Sequence, residues 1–514
     1  LTDGYKTSHH LMYPKGTKLV YSNLTPRSNR YAPKGCEQMV CFGPQFTMQY
    51  IYEVFEREFF AISKKTVCDE IKREYSMYLN CDYDVSHIEA LHDLGYLPLC
   101  VKALPEGTLV PMGVPVLTIY NTKKEFYWLT NFLETLISNL LWKPMTSASI
   151  AYTYKNNLMA WAEKTDVAAK EFVNFQGHDF SMRGMDSPLA CMTSGMGHAT
   201  SFMGSDSLPV IKAARKYYGA TEFVVGSVNA TEHSIMCSGG AEEGDEIATF
   251  RHLMKTFPTG ILSVVSDTWD LWKVLTEYLP ALKEEILARD GKIVIRPDSG
   301  DPVDIICGGS YNSIKDIPNS PQYKGVIELL WDTFGGTVND QGYKVLDPHI
   351  GAIYGDSITL ERADNICQRL ADKGFASTNV VLGIGSFTYQ YNTRDTFGTA
   401  MKATYVELEE AQEPVSHDGL NVGSITPDPK TICREIFKDP ITDQGGFKKS
   451  AKGLLLVQEN DFTGDYELID QVSWKQEGHG CLQTIFEDGT FRNITTLDEI
   501  RERLNECRLQ PKLT

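Results

Sequence analysis

The sequence predicts an α/β fold: an incomplete βα barrel joined to a mixed sheet domain assembled from both ends of the chain. Three observations carry the prediction. First, six short apolar runs in the middle of the chain end abruptly in polar residues, with helical patterns between them. They are residues 171–180, 222–233, 261–267, 292–300, 351–357 and 379–386. Continuous β-branched runs are what strands buried on both faces require, and their alternation with helices argues for parallel βα units. Second, residues 97–121 alternate short apolar stretches with Pro and Gly turn signals, the pattern of antiparallel strands. Third, after Asp395 the segments ATYVELEE, GLLLVQEN and CLQTIFEDGTFRN read as strands and a hairpin. The expected division is 1–165 for an N-terminal sheet and helix region, 166–395 for the barrel, and 396–514 for a segment that completes the sheet.

Two helices stand out. Between residues 124 and 164, Leu129, Phe132, Leu133, Leu136 and Ile137 recur at helical spacing and mark a buried stripe. After residues 351–357 a helix follows, with Ser357 expected as its cap and Leu360, Ala363, Ile366, Leu370 and Ala371 on one face.

Bulk properties narrow the function. The chain of 514 residues carries 49 Lys and Arg against 67 Asp and Glu, a formal charge of −18. A nucleic-acid surface is not expected, because neutralising phosphates takes a basic patch. An acidic protein that handles a polyanionic substrate must gather a few arginines or a metal at one site. The 12 cysteines include no C-x-x-C pair, so zinc-ribbon and thioredoxin motifs are unsupported, and free thiols suit a reducing, cytoplasmic setting. The most apolar helical stretch, residues 128–142, is interrupted by Thr130, Asn131, Glu134 and Asn139 and does not read as a membrane span. No signal-peptide pattern is read.

In a βα barrel the reacting groups sit on loops at the carboxyl ends of the strands. Those ends carry Asp179, His233, Asp267, Arg296 with Asp298, Asp356, and a Gly383-x-Gly385 turn. Acids, a His and an Arg on one rim suit a charged substrate with a divalent metal. Each also has a plainer reading. Asp267 and Asp356 would cap helices, Arg296 would form a structural ion pair, His233 would be a satisfied polar residue, and Phe180 would be core. Gly383 and Gly385 would make a tight turn, although bare N–H groups in such a turn also bind phosphate. Spacing alone leaves an aldolase or glycosidase open.

Several strings together resemble the nicotinamide phosphoribosyltransferase family. They are Thr2-Asp3-Gly4-Tyr5-Lys6, ALPEG from Ala103, FYWLTNFLE from Phe126, His178-Asp179-Phe180 with Arg183-Gly184, and Gly204-Ser205-Asp206. Thr231-Glu232-His233-Ser234, Ile295-Arg296-Pro297-Asp298-Ser299-Gly300, Gly355-Asp356 and Thr393-Arg394-Asp395 continue the match. The resemblance spans nearly the whole chain. It implies a type II phosphoribosyltransferase fold and a homodimer with active sites at the interface. Phe180 and Tyr5 of the other subunit would stack on nicotinamide, and Asp206 would accept its carboxamide. Arg183, Arg296 and Arg394 would hold the phosphates of 5-phosphoribosyl 1-pyrophosphate. Gly355, Asp356, Gly385 and Ser386 would line the ribose and phosphate end, and Asp298 would bind ribose. Asp3, Ser227 and Ser263 fall at further substrate-binding positions. His233 would take a phosphoryl group from ATP, oriented by Asp267, which would also stand near Mg2+. The product would be nicotinamide mononucleotide. Where the family commonly carries Gly and an aromatic residue, this chain has Ser181 and Met182. In place of three glycines it has Gly385-Ser386-Phe387.

Three other readings compete: a nicotinate phosphoribosyltransferase, a non-catalytic binding protein on the same scaffold, and an unrelated barrel hydrolase.

Overall fold

A computed structural model describes residues 2–509 apart from 243–244, 310–319, 356, 412–427, 444, 447 and 462. Its centre is a seven-stranded parallel sheet in the spatial order Gly204–Ser205, Gly177–Asp179, Val380–Ile384, Ile350–Tyr354, Asp290–Arg296, Thr259–Val265 and Asn229–Ala230. All six apolar runs contribute a strand. The central ones pack Ile293, Ile295, Val264, Val265, Leu382 and Ile384 into the core, which is why they read as continuous apolar segments. Strand 204–205 pairs with His178 and Asp179. On its other side Gly226 N donates to Met203 O at 2.8 Å and Ser205 N to Gly226 O at 3.0 Å. The sheet therefore curls into a barrel joined there by an isolated bridge.

Two runs are shorter as strands than expected. Within 171–180 only Gly177–Asp179 is extended, and Val167–Phe172 and Val173–Gln176 are helical turns. Val173 and Gln176 are buried three residues apart, and Gln176 Nε2 donates to Ser377 O and Val380 O at 2.8 and 3.2 Å. Those bonds favour the helical turn over extension of the strand. Within 222–233 only Asn229–Ala230 is a strand.

The expected cap also shifts. The helix runs Leu360–Asp372, and Thr359 rather than Ser357 accepts the bond from Arg362 N. Ser357 has φ +49°, a left-handed turn incompatible with the extended N-cap conformation, and its side chain lines the cleft described below. Leu360, Ala363, Ile366 and Leu370 are buried as expected.

The predicted stripe spans the helical turn Leu129–Phe132 and the start of the helix Glu134–Thr165, with Leu129, Leu133 and Ile137 fully buried. The longer helix packs on the helix Pro188–Ala199, where a Cβ on Gly197 would lie 2.8 Å from Pro144 O. That close approach fixes the helix beneath the strand end at Asp179.

A second seven-stranded sheet has the order Lys430–Glu435, Ala400–Glu410, Thr17–Thr25, Leu117–Asn121, Leu99–Ala103, Gln483–Glu487 and Thr490–Phe491. It joins both chain ends, and its pairings are all antiparallel. Among the described residues no helix is long and apolar enough to cross a membrane.

Candidate active site

A cleft of about 870 Å3 opens at the carboxyl ends of the parallel strands. Phe180, Arg183, Asp206, Arg296, Asp298, Gly355, Gly385 and Ser386 line it, beside Thr231 and Glu232. Eight expected residues, widely separated in sequence, thus share one cavity.

At one end Phe180 follows the strand Gly177–Asp179, its N–H donating to Ile384 O at 3.0 Å. Gly383 is required beneath it, because a Cβ there would lie 2.6 Å from Phe180 Cδ2. The Arg296 guanidinium carbon stands 6.0 Å from the Phe180 ring centroid, and Arg296 Nε is buried without a hydrogen-bond partner among the described residues. A buried donor of this kind needs an acceptor from a ligand or solvent. Asp206 N donates to Asp179 O at 3.0 Å, which places the Asp206 side chain beside Phe180. His178 Nε2 lies 3.0 Å from Asp206 Oδ1, and Ser227 Oγ donates to the same oxygen. Burial works against the Asp206 charge, but these two hydrogen bonds, aided by the charges of His178 and Arg296, hold its carboxyl below the ordinary value of 3.8.

Asp179, expected on the rim, is instead fully buried. Its Oδ1 accepts Ser181 N at 2.9 Å, and its Oδ2 accepts Ser205 Oγ at 3.4 Å. It ties the Phe180 loop to the neighbouring strand. Ser227 and Ser263 line a second cavity of about 470 Å3 that shares Phe180, Asp206 and Arg296 with the cleft.

At the other end His233 opens the short helix His233–Ser238. The loop before it is pinned to the strand Thr259–Val265: Thr231 N donates to Ser263 O at 3.0 Å, and Val265 N to Thr231 Oγ1 at 2.9 Å. His233 Nε2 is 3.3 Å from Asp267 Oδ1. The other Asp267 oxygen accepts Asp298 N at 3.1 Å and Ser299 Oγ at 2.5 Å. Asp267 therefore orients both His233 and the loop that carries Asp298, and it does not line the cleft. No donor among the described residues reaches the Asp298 carboxylate. Gly355 lets it close in, since a Cβ there would be 2.8 Å from Asp298 Oδ1. Ser386 sits where any side chain at position 184 would collide with it. Phe387 lines the cleft and stacks on Tyr391, with ring centroids 5.5 Å apart at 5°.

Neither His233 nor Asp267 lines the cleft itself, and three further expected residues, Tyr5, Asp3 and Arg394, line neither it nor the second cavity. Tyr5 is exposed on an N-terminal turn, and Asp3 nearby accepts Thr135 Oγ1 at 2.6 Å. Arg394 pairs with Asp395 at 3.1 Å. Asp356 lies outside the described residues.

Sequence reasoning missed a basic cluster of Arg27, Lys402 and Lys438 near Arg394. Burial lowers the affinity of Arg27 and Lys402 for their protons, and neighbouring positive charge adds to it. No local motif marks these cations. The pairing of Thr17–Thr25 with Ala400–Glu410, continued by the bond from Arg27 N to Phe397 O at 3.0 Å, brings Arg27 to Lys402.

The fold is the one that solved phosphoribosyltransferases share. Solved structures with the same fold include human nicotinic acid phosphoribosyltransferase, with a TM-score of 0.51 and 16% identity, covering 99% of this chain and 94% of that one. Nicotinate-nucleotide pyrophosphorylase from Pyrococcus furiosus has a TM-score of 0.50 and 14% identity, covering 98% and 93%. More narrowly, the chain belongs to the nicotinate phosphoribosyltransferase (NAPRTase) family, whose pattern matches residues 175–431. It is 49% identical to the nicotinamide phosphoribosyltransferase of Acinetobacter baylyi over 98% of this chain and 96% of that protein. Identity to the nicotinamide phosphoribosyltransferase of Xanthomonas campestris is 30%, over 99% and 98%.

Proposed function

We propose that this chain is a nicotinamide phosphoribosyltransferase, joining nicotinamide to 5-phosphoribosyl 1-pyrophosphate to give nicotinamide mononucleotide and pyrophosphate in NAD salvage. The carrying observation is the Asp206 carboxylate, held by His178 and Ser227 beside the Phe180 ring, in one cavity with Arg183 and Arg296. A flat pyridine ring gains from burial and offset stacking on Phe180. Asp206 accepts the carboxamide N–H and repels the carboxylate of nicotinate. That charge favours this reading over the nicotinate enzyme.

The reaction is displacement at the anomeric carbon. Its bond to the pyrophosphate oxygen breaks with the electron pair leaving on pyrophosphate, and the ring nitrogen of nicotinamide forms the new bond from the opposite face. The nitrogen carries no proton at neutral pH, so no strong base is needed. Arg183 and Arg296 stabilise the departing charge, and Asp298 stands where positive charge grows on ribose. Among the described residues no three His, Cys, Asp or Glu side chains converge as a metal cage. The uncommitted carboxylate of Asp298 would suit Mg2+ brought in on the diphosphate, and the chemistry such an ion would supply is neutralisation of leaving-group charge.

The carboxylate of Asp267 can only accept, so the proton of neutral His233 lies on Nε2 and the Nδ1 lone pair is free. That supports His233 as the nucleophile that takes a phosphoryl group from ATP. Tyr5, Asp3 and the cluster around Arg394 stand apart from their own cleft, which supports a homodimer in which a second copy supplies them.

The test is incubation with nicotinamide, 5-phosphoribosyl 1-pyrophosphate and Mg2+, following nicotinamide mononucleotide and pyrophosphate. Stoichiometric formation of both is expected. Binding without turnover would favour the non-catalytic reading.

A further inference from the structure

His178 carries no role in the chemistry above, yet it is built into the site from three sides. Its strand pairs in register with Gly204. A Cβ on Gly204 would come 2.7 Å from His178 Nδ1, so the glycine is what admits the ring. On another side the ring lies against Phe180, with centroids 4.6 Å apart and planes tilted 41°. On the third, Nε2 is 3.0 Å from Asp206 Oδ1. An aspartate oxygen that carries no proton can only accept, so Nε2 is the donor. Ser227 Oγ donates to that same oxygen, and no described residue donates to Oδ2.

We propose that His178 is a positioning residue that sets the choice between nicotinamide and nicotinate by fixing Asp206 in one orientation as a proton-free acceptor. The inference rests on the reaction proposed above. With both protein donors on Oδ1, Oδ2 is the oxygen left for the carboxamide N–H. The same two bonds oppose protonation of Asp206. Rejection of nicotinate depends on that, because a protonated Asp206 would donate to the nicotinate carboxylate instead of repelling it. His178 also touches Phe180, so one ring aligns the stacking surface and the acceptor relative to each other. Hydrogen bonds to charged groups are worth more than neutral ones, and losing one leaves the acceptor free to turn and to take up a proton.

The test is steady-state kinetics with each base for the full chain and for H178F, H178Q and S227A. H178F keeps an aromatic ring against Phe180 and removes the donor. H178Q returns an N–H at the end of a flexible chain. In H178F the ratio of kcat/KM for nicotinamide to that for nicotinate is expected to drop by about tenfold or more, mainly through a raised KM for nicotinamide. H178Q should recover much of the ratio, and S227A should lower it less than H178F. An unchanged ratio in H178F would overturn the positioning role, as would an H178Q ratio no better than that of H178F. Should H178F fail to fold, the comparison of H178Q with S227A decides: an unmoved ratio in S227A overturns the shared-oxygen argument. If the unaltered chain forms nucleotide from neither base, the reaction itself is wrong. If it forms nicotinamide mononucleotide while the ratios stay fixed, only the role of His178 is lost.

Discussion

Two histidine–aspartate pairs beside the cleft have opposite exposures. In His178–Asp206 the histidine side chain is 11% exposed and the aspartate 41%. In His233–Asp267 the histidine is 47% exposed and the aspartate 6%. In the proposed reaction the more exposed partner of each pair meets the substrate, and the one behind it sets its state. A buried imidazole keeps the outward Asp206 unprotonated, which suits recognition of an N–H. A buried carboxylate keeps the Nδ1 lone pair of the outward His233 free, which suits attack on phosphorus. In the proposed reaction one pair of residue types would thus serve selection or group transfer according to which member is buried.

The largest expected effect breaks the first pair at its outward member. D206A and D206N should each lower kcat/KM for nicotinamide by about tenfold to a hundredfold, the range of a lost charged hydrogen bond, and should raise relative use of nicotinate. Parallel assays of the two bases measure this, and an unaltered preference in both variants contradicts the assignment. Next, H233A should abolish stimulation by ATP and transfer of labelled γ-phosphoryl to the protein, while leaving base preference where it was. A shift in base preference would mean that the two pairs are not separate devices.

D267N strikes a buried carboxylate with three contacts. It should destabilise the fold by roughly 1–3 kcal/mol in denaturant melts and weaken the ATP effect together with ribose binding through Asp298.

The smallest effects are in pH. Asp206 is held below 3.8, so its contribution to stability is present above that value and is lost only as pH falls through the lower folded value. Protonation of Asp206 should therefore leave base preference unaltered between about pH 8 and pH 6, as a pH series of kcat/KM ratios would show. A third site, where no carboxylate touches a histidine ring, sharpens the contrast. His10 and His87 stack at 3.7 Å, and burial, then the charge of His10, push His87 down to about 3, with Asp84 opposing weakly. The unfolded chain takes up that proton first, so stability falls as pH drops from 6.5 toward about 3. Melting at about pH 7.5 and about pH 5 should differ less in H87F than in the parent.

The barrel was legible because buried parallel strands must be apolar along their length, as 292–300 and 379–386 are. Gly204–Ser205 was invisible as a strand, for two residues without large side chains leave no pattern. The rim residues Phe180, Asp206, Arg296 and Asp298 were legible through strand ends and motif resemblance together. Asp179 was misplaced because a strand-end acid looks the same in sequence whether it faces ligand or ties down a loop. The cluster of Arg27 and Lys402 was out of reach, because strand pairing rather than sequence neighbourhood creates it.

The antiparallel sheet has a consequence for synthesis. Thr17–Thr25 lies between Leu117–Asn121 and Ala400–Glu410, and Leu99–Ala103 pairs with Gln483–Glu487. As the ribosome feeds out the chain, the first strand must wait with one edge bare until the entire barrel has emerged. Such long-range closure is slow and leaves an open edge exposed to other chains. The nascent protein is therefore most at risk of aggregation in the interval between barrel completion and the arrival of its last strands.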